Sequence, residues 1–337
     1  MKALLLFVIS LFFTFSASAT VFRINNSPGS NAPYTDLVTA HSVAQDGDTL
    51  HIEGSQMGYG SLTITKRLVI IGPGYFPAEN PCSPMSLEAI VDDFDLDPTV
   101  TADPFTGASG SEIRGITFDS NSSSRIVVRV SNVVIAQCRI RSEVFFPDNL
   151  TSGTQVMQCY FHGDGLSSTS SNTGLNVTFV NNIVNRSFSI VDNSSGVIRH
   201  NLFLGTGFNV EVFNGEIRSN IATSTSSFSV STTGVGTLSH NTAAAGQFGA
   251  ADGNNTAAPA TLFVTSNSTD GQYQLLPSAT LVKDNAHDGT DRGPFGGSLP
   301  YVLSGVPNIP FIKDLETNAP NYPSIPLEVF IQAQSGN

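Results

Sequence analysis

From Ile113 to Ala243 one short pattern of apolar and polar positions recurs seven times. The copies are Ile113-Arg-Gly-Ile-Thr-Phe118, Ile135-Ala-Gln-Cys-Arg-Ile140, Val156-Met-Gln-Cys-Tyr-Phe161, Phe179-Val-Asn-Asn-Ile-Val184, Ile198-Arg-His-Asn-Leu-Phe203, Ile217-Arg-Ser-Asn-Ile-Ala222 and Leu238-Ser-His-Asn-Thr-Ala243. An apolar residue opens each copy, and a small or apolar one closes it five positions later. Their first residues lie 22, 21, 23, 19, 19 and 21 apart. A period near twenty predicts a solenoid, in which each repeat buries its apolar edge only by stacking on its neighbours. One copy reads as two very short strands joined by a bend, with apolar residues inward and Arg114, Arg199 and Arg218 outward. The position three after the start reads Ile116, Cys138, Cys159, Asn182, Asn201, Asn220, Asn241. A bend demands a backbone conformation that most side chains resist and Asn tolerates. Stacked copies place these amides ~4.8 Å apart, where they bond along the column. Cys138 and Cys159 take the same column as small, weakly polar thiols. In-register stacking points both Cβ atoms the same way, which is poor disulfide geometry.

The flanks divide the chain further. Residues 1–19 read as a secretory signal: Lys2, the apolar run Leu4 to Phe15, then Ala17-Ser-Ala19. Residues 20–297 carry the solenoid, with an insertion at about 75–110 that breaks the period with prolines and an acidic run. Residues 298–337 read as a C-terminal cap or a flanking extension. Near the start, Thr35 offers a helix cap for a Tyr34–Gln45 helix, because an open stack end needs an amphipathic cover. Rungs are expected at Leu62–Ile64 and Leu68–Ile71, and weakly at Leu262–Val264 and Tyr273–Leu275. About ten coils give a solenoid roughly 50 Å long.

The asparagine column, the opening helix and the glycine-rich run from Asp284 to Gly297 together resemble the pectin-lyase-like superfamily, in particular its secreted bacterial members. The resemblance implies an all-β chain: a right-handed parallel β-helix solenoid with a short N-terminal capping helix. It also implies an outward groove for a polysaccharide. Lyases of that superfamily use calcium carboxylates and an Arg or Lys base, and its hydrolases a cluster of Asp. Neither set stands in this sequence as a motif.

Charge narrows the partners. Without its leader the chain has 14 basic and 27 acidic residues, a formal charge of −13. That balance argues against nucleic acid and anionic membranes. No segment after the leader is long and apolar enough to span a bilayer. Cys82 lies in the insertion without a pairing partner, and no zinc spacing is present.

Candidate chemistry is thin. Phe161-His-Gly-Asp-Gly165 puts His162 and Asp164 on one turn as a base and its orienting group, or as turn residues chosen for backbone geometry. Arg114, Arg199 and Arg218 form part of an outer row able to meet sugar hydroxyls or carboxylates, or simply a solvated surface. Asp93, Asp95 and Asp97 alternate, so three carboxylates share a face and need solvation or a cation such as calcium. Asp284, Asp288 and Asp291 carry a slighter version of that chemistry. His200 and His240, two rungs and about 10 Å apart, read as surface residues.

These features fit a monomeric protein, secreted or at the cell surface (extracellular or periplasmic), that binds a polysaccharide or cell-surface glycan or serves as an extracellular scaffold. No cofactor is required, with calcium the one to test. One alternative is a polysaccharide lyase or glycoside hydrolase using His162 and Asp164. Another is an adhesin or surface-coat component.

Overall fold

A computed structural model describes residues 19–79, 87–99, 103–119, 121, 124–147, 151–168, 176–193, 195–213, 215–226, 229–233, 236–264, 268–308, 310–317 and 329–335. Residues 1–18 of the leader and Cys82 lie outside them.

The repeat folds as two strands and a bend. In the fifth copy these are Ser195–Arg199 and Leu202–Phe203, with His200 and Asn201 between them. The opening strands stack in parallel into a ten-stranded sheet, from Val21–Ile24 to Thr237–Ser239. The closing strands stack into a nine-stranded sheet, from Ile90–Val91 to Asn255–Thr256. A five-stranded sheet, from Leu62–Ile64 to Leu166–Ser168, forms a third wall, followed by three strands from Phe188–Asn193 to Ser229–Thr233. The chain is thus an all-β parallel solenoid. Its interior is one continuous core in which Phe161, Phe179, Phe188 and Phe203 stand ring against ring. Each such buried ring contributes roughly 2–3 kcal/mol.

Among the described residues the single α-helix, Leu37–Val43, is capped by Asp36, whose carboxylate accepts the Thr39 amide at 2.7 Å, rather than by Thr35. Its buried Leu37 and Ala40 join the core beside Ile24 and Leu50. The Lys66 ammonium donates to the carbonyls of His41, Ser42 and Ala44, closing the other end. Among the described residues no helix is long and apolar enough to cross a membrane.

Three local expectations change. The span read as an excursion, about 75–110, contains a rung: Ile90 pairs with Thr117, and Phe94–Leu96 lies between Leu62–Ile64 and Ile126–Val128. Val91, Phe94 and Leu96 point inward and their aspartate neighbours outward, so acidic residues masked an ordinary strand alternation. The left-handed residue of each bend is not the ladder residue but the one before it. Gln137, Gln158, Asn181, His200, Ser219 and His240 all have φ between 52° and 57°. That backbone turns the following side chain inward, where the amide is needed. Finally, Leu262 and Tyr273 are not rungs: they sit in a second core outside the nine-stranded sheet.

This second core explains the last third of the chain. Tyr160, Ile183, Leu202 and Ile221 point outward from the nine-stranded sheet, and Ala257, Leu262, Ala279, Val282 and Tyr301 cover them. Over these four rungs the sheet is therefore apolar on both faces. Beneath Tyr301, the Tyr75 and Tyr301 hydroxyls share a hydrogen bond, and Asp270 accepts the Ser304 amide at 2.6 Å. Pro310–Thr317 and Val329–Ser335 then pair as an antiparallel hairpin.

Burial pushes the phenols of Tyr59 and Tyr273 up to about 12, and those of Tyr75 and Tyr301 well above the usual tyrosine value. An unfolded tyrosine ionises near 10. Stability from these phenols is therefore whole below pH 10 and is lost as pH climbs from 10 through the folded values. Arg292, held down to about 10 by burial, opposes this as one group against several. The melting temperature is expected to fall steeply above pH 10, with the phenolate absorbance of these four tyrosines rising only as the fold is lost. Complete phenolate absorbance in a still-folded protein would contradict the assignment.

Candidate functional site: an imidazole and carboxylate cluster beside an arginine pair

The six left-handed residues form a row along the corner between the ten- and nine-stranded sheets, and the C-terminal segment runs back over that corner. Gly293 N–H donates to the Ser219 carbonyl at 2.9 Å. The Asn181 amide donates to the carbonyls of Pro294 and Gly296 at 2.8 and 2.7 Å. The Gln158 amide donates to those of Leu299 and Pro300 at 3.3 and 2.6 Å. Two rungs further on, the row position is Gly115, where an added Cβ would lie 2.5 Å from Pro307. At Gln158, Asn181, His200 and Ser219 the polar side chain grips a returning strap of chain.

At the far end of the strap the row supplies chemistry. His200 is 3 % exposed, not a surface residue, because Gly296 and Gly297 pack directly on its ring. Its Nδ1 faces the Asp291 carbonyl at 3.2 Å, and a carbonyl only accepts, so the proton sits on Nδ1. Nε2 is buried, makes no hydrogen bond, and lies 3.3 Å from Asp288 Oδ2. Burial lowers the His200 pKa against the pull of Asp288, favouring the neutral ring with a lone pair on Nε2. The other oxygen of Asp288 is held by the Thr290 amide and hydroxyl at 3.1 and 2.7 Å. His287 completes the group. Its backbone N–H donates to Ser219 Oγ at 3.0 Å, and its Nδ1 lies 2.8 Å from the same oxygen. The two imidazole rings are 5.5 Å apart.

Adjacent on the outer face, Arg199 and Arg218 are in register on neighbouring strands. Both pair with Glu216, at 3.2 and 3.4 Å. Their charges act on His287, whose pKa is lowered first by burial, with Arg218 and Arg199 adding to it. The arginine pair and the imidazole cluster are therefore one neighbourhood.

The other sequence candidates lie apart. Arg114 occupies the same outward column four strands away and pairs with Glu112. Between it and Arg199 stand Ala136, Met157 and Val180, an apolar bar at most 9 % exposed. Asp164 Oδ1 accepts the Ser187 amide at 3.0 Å. His162 is exposed, its pKa lowered by burial and by Arg141. Among the described residues no hydrogen bond or ion pair joins His162 to Asp164. Gly163 lets the turn pass the Arg141 carbonyl, which an added Cβ would approach to 2.2 Å. Asp93 accepts the Arg125 amide at 2.9 Å, and Arg129 sits 3.0 Å from both Asp95 and Asp97, so a guanidinium balances that acidic run. Among the described residues, the group of three whose ligand atoms all lie within 4.8 Å is His200, His287 and Asp288. Sequence reading separated His200 from the other two because His287 lies 87 positions further on. The signal was there in His287-Asp288, set inside a glycine-rich segment.

The ladder runs as a chain of amides. Each Oδ1 accepts the backbone N–H of the preceding member: Cys159 to Asn182, Asn182 to Asn201, Asn201 to Asn220, and Asn220 to Asn241, at 2.9–3.0 Å. Asn254 continues it, accepting the Asn241 N–H at 2.8 Å. Cys138 and Cys159 are buried free thiols that donate to backbone carbonyls, as the amide Nδ2 groups do.

No family model, no curated protein and no solved structure matches this chain.

Proposed function

We propose that the chain is an exported glycan-binding β-helix whose contact surface is the outward face of the ten-stranded sheet around Arg199, Glu216 and Arg218. The observation that carries this reading is the in-register arginine pair bridged by one carboxylate. Guanidinium groups donate in a planar fork that suits paired sugar hydroxyls or a uronate carboxylate. With side chains 39 % and 30 % exposed, both arginines are within reach of a ligand. Thr178 and Thr237 flank them in the neighbouring column and add hydroxyls. Rungs ~4.8 Å apart match the advance of an extended pyranose chain lying along the stack. The resemblance to pectin-lyase-like proteins supports the same ligand class. The strongly negative net charge makes this pair a local exception and favours neutral or weakly acidic polysaccharides.

Depolymerisation has less support, since Asp164 is engaged as a turn cap rather than paired with His162. On a glycan array run with chelator, wild type is expected to retain a polysaccharide. The Arg199→Ala/Arg218→Ala double variant should bind it at least about tenfold more weakly, with unchanged circular dichroism. No retained glycan, or equal binding by the double variant, sinks the reading. Reducing ends or unsaturated uronate released by wild type but not by His162→Ala would favour the depolymerase instead.

A further inference from the structure

We infer that His200, His287 and Asp288 form a binding site for a divalent transition metal of the zinc type, with an open position toward solvent. The inference stands apart from the glycan reading, since it uses none of the arginine contacts.

Both imidazoles are tied at Nδ1, His200 to the Asp291 carbonyl and His287 to Ser219 Oγ, leaving Nε2 of each as the ligand atom. Metal-bound histidines are fixed this way, the remote nitrogen held by a carbonyl or hydroxyl that sets tautomer and ring angle. Asp288 is likewise held at one oxygen by Thr290 and presents the other. The decisive observation is His200 Nε2. It is buried with no hydrogen-bond partner, and a carboxylate oxygen faces it at 3.3 Å. A ring nitrogen and a carboxylate oxygen thus converge from separate elements, and a cation between them would bridge both. Metal–nitrogen and metal–oxygen bonds of ~2.1 Å at the tetrahedral angle put the two ligand atoms about 3.4 Å apart, close to the observed separation. Mixed imidazole and carboxylate donors select zinc-like ions over calcium, which takes oxygen. His200 is buried, His287 half-buried and Asp288 exposed, so the fourth position opens outward to water or a ligand atom.

The test uses the full mature chain, stripped with chelator and titrated calorimetrically with Zn²⁺, then with Co²⁺ read by visible absorption. One Zn²⁺ per chain is expected, a rise in melting temperature, and the intense visible bands of tetrahedral Co²⁺. His287→Ala and Asp288→Asn, both at accessible positions, should bind at least about tenfold more weakly and lose the bands while keeping the wild-type circular dichroism. His162→Ala should bind as wild type does. No Zn²⁺ binding by the wild type would overturn the assignment. So would undiminished affinity in both His287→Ala and Asp288→Asn, which would place the ion elsewhere.

Discussion

Asn201→Ala is expected to lower the unfolding free energy by about 4 kcal/mol, visible as a large fall in the urea midpoint at unchanged slope. The size follows from how many partners one side chain serves. Its Oδ1 accepts the Asn182 backbone N–H at 2.9 Å and the Asn182 side-chain amide at 3.1 Å. Its Nδ2 donates to the Phe179 carbonyl at 2.8 Å and to Asn220 Oδ1 at 3.0 Å. All of this is sealed from water, so truncation strands buried donors and acceptors on both neighbouring rungs. Asn201→Asp separates the two halves of the role. It keeps the acceptor but turns a carboxylate toward two oxygens, so its folded pKa should be raised. The variant should therefore regain stability as pH falls through that value, where wild type does not. A loss below about 1 kcal/mol for Asn201→Ala would mean that the column is not a cooperative network.

Arg292→Ala is expected to cost about 3 kcal/mol, because it strands several buried acceptors at once. This guanidinium is 1 % exposed and is held by uncharged acceptors. Nη1 donates to the Asn241 carbonyl and the Thr242 hydroxyl at 2.9 and 3.1 Å. Nη2 donates to the Gly253 carbonyl at 2.8 Å, and Nε to the Asn285 carbonyl at 2.6 Å. It thereby ties the segment bearing His287 and Asp288 to the last turns of the ladder. Lysine keeps the charge but not the planar spread of donors, so Arg292→Lys should recover only part of the loss. If alanine and lysine variants both melt like wild type, the residue does not fasten the segment. A secondary expectation is that Arg292→Ala weakens Zn²⁺ binding without touching a ligand.

The two variants mark what the sequence could and could not disclose. Asn201 was legible because its neighbours in the column recur every 19–21 residues with the same apolar flanks. Periodicity reports stacking, and stacking is local from rung to rung. Asn254 was not legible, because it follows Asn241 by only 13 residues and its coil lacks the third side. The polar residues one step before the ladder were visible as Gln, Gln, Asn, His, Ser and His, but nothing local says what they hold. Their partners lie 68–142 residues away. For the same reason His200 looked like a surface residue and Asp288 like part of a closing turn. The weak apolar runs after Ala243 were read as fading rungs. Their hydrophobicity serves an outer core, and a run of two or three apolar residues does not distinguish these uses.

The returning strap bears on how the molecule comes apart. A simple solenoid behaves as a one-dimensional array, fraying from either end, because each coil touches only its neighbours. Here Tyr75 meets Tyr301 and Gln158 meets Pro300, so chain made last clasps coils made early. Unzipping the terminal coils first requires peeling this clasp from the flank. Melting should accordingly be closer to all-or-none than end fraying allows, and most of the cylinder must assemble before its final residues can lock it.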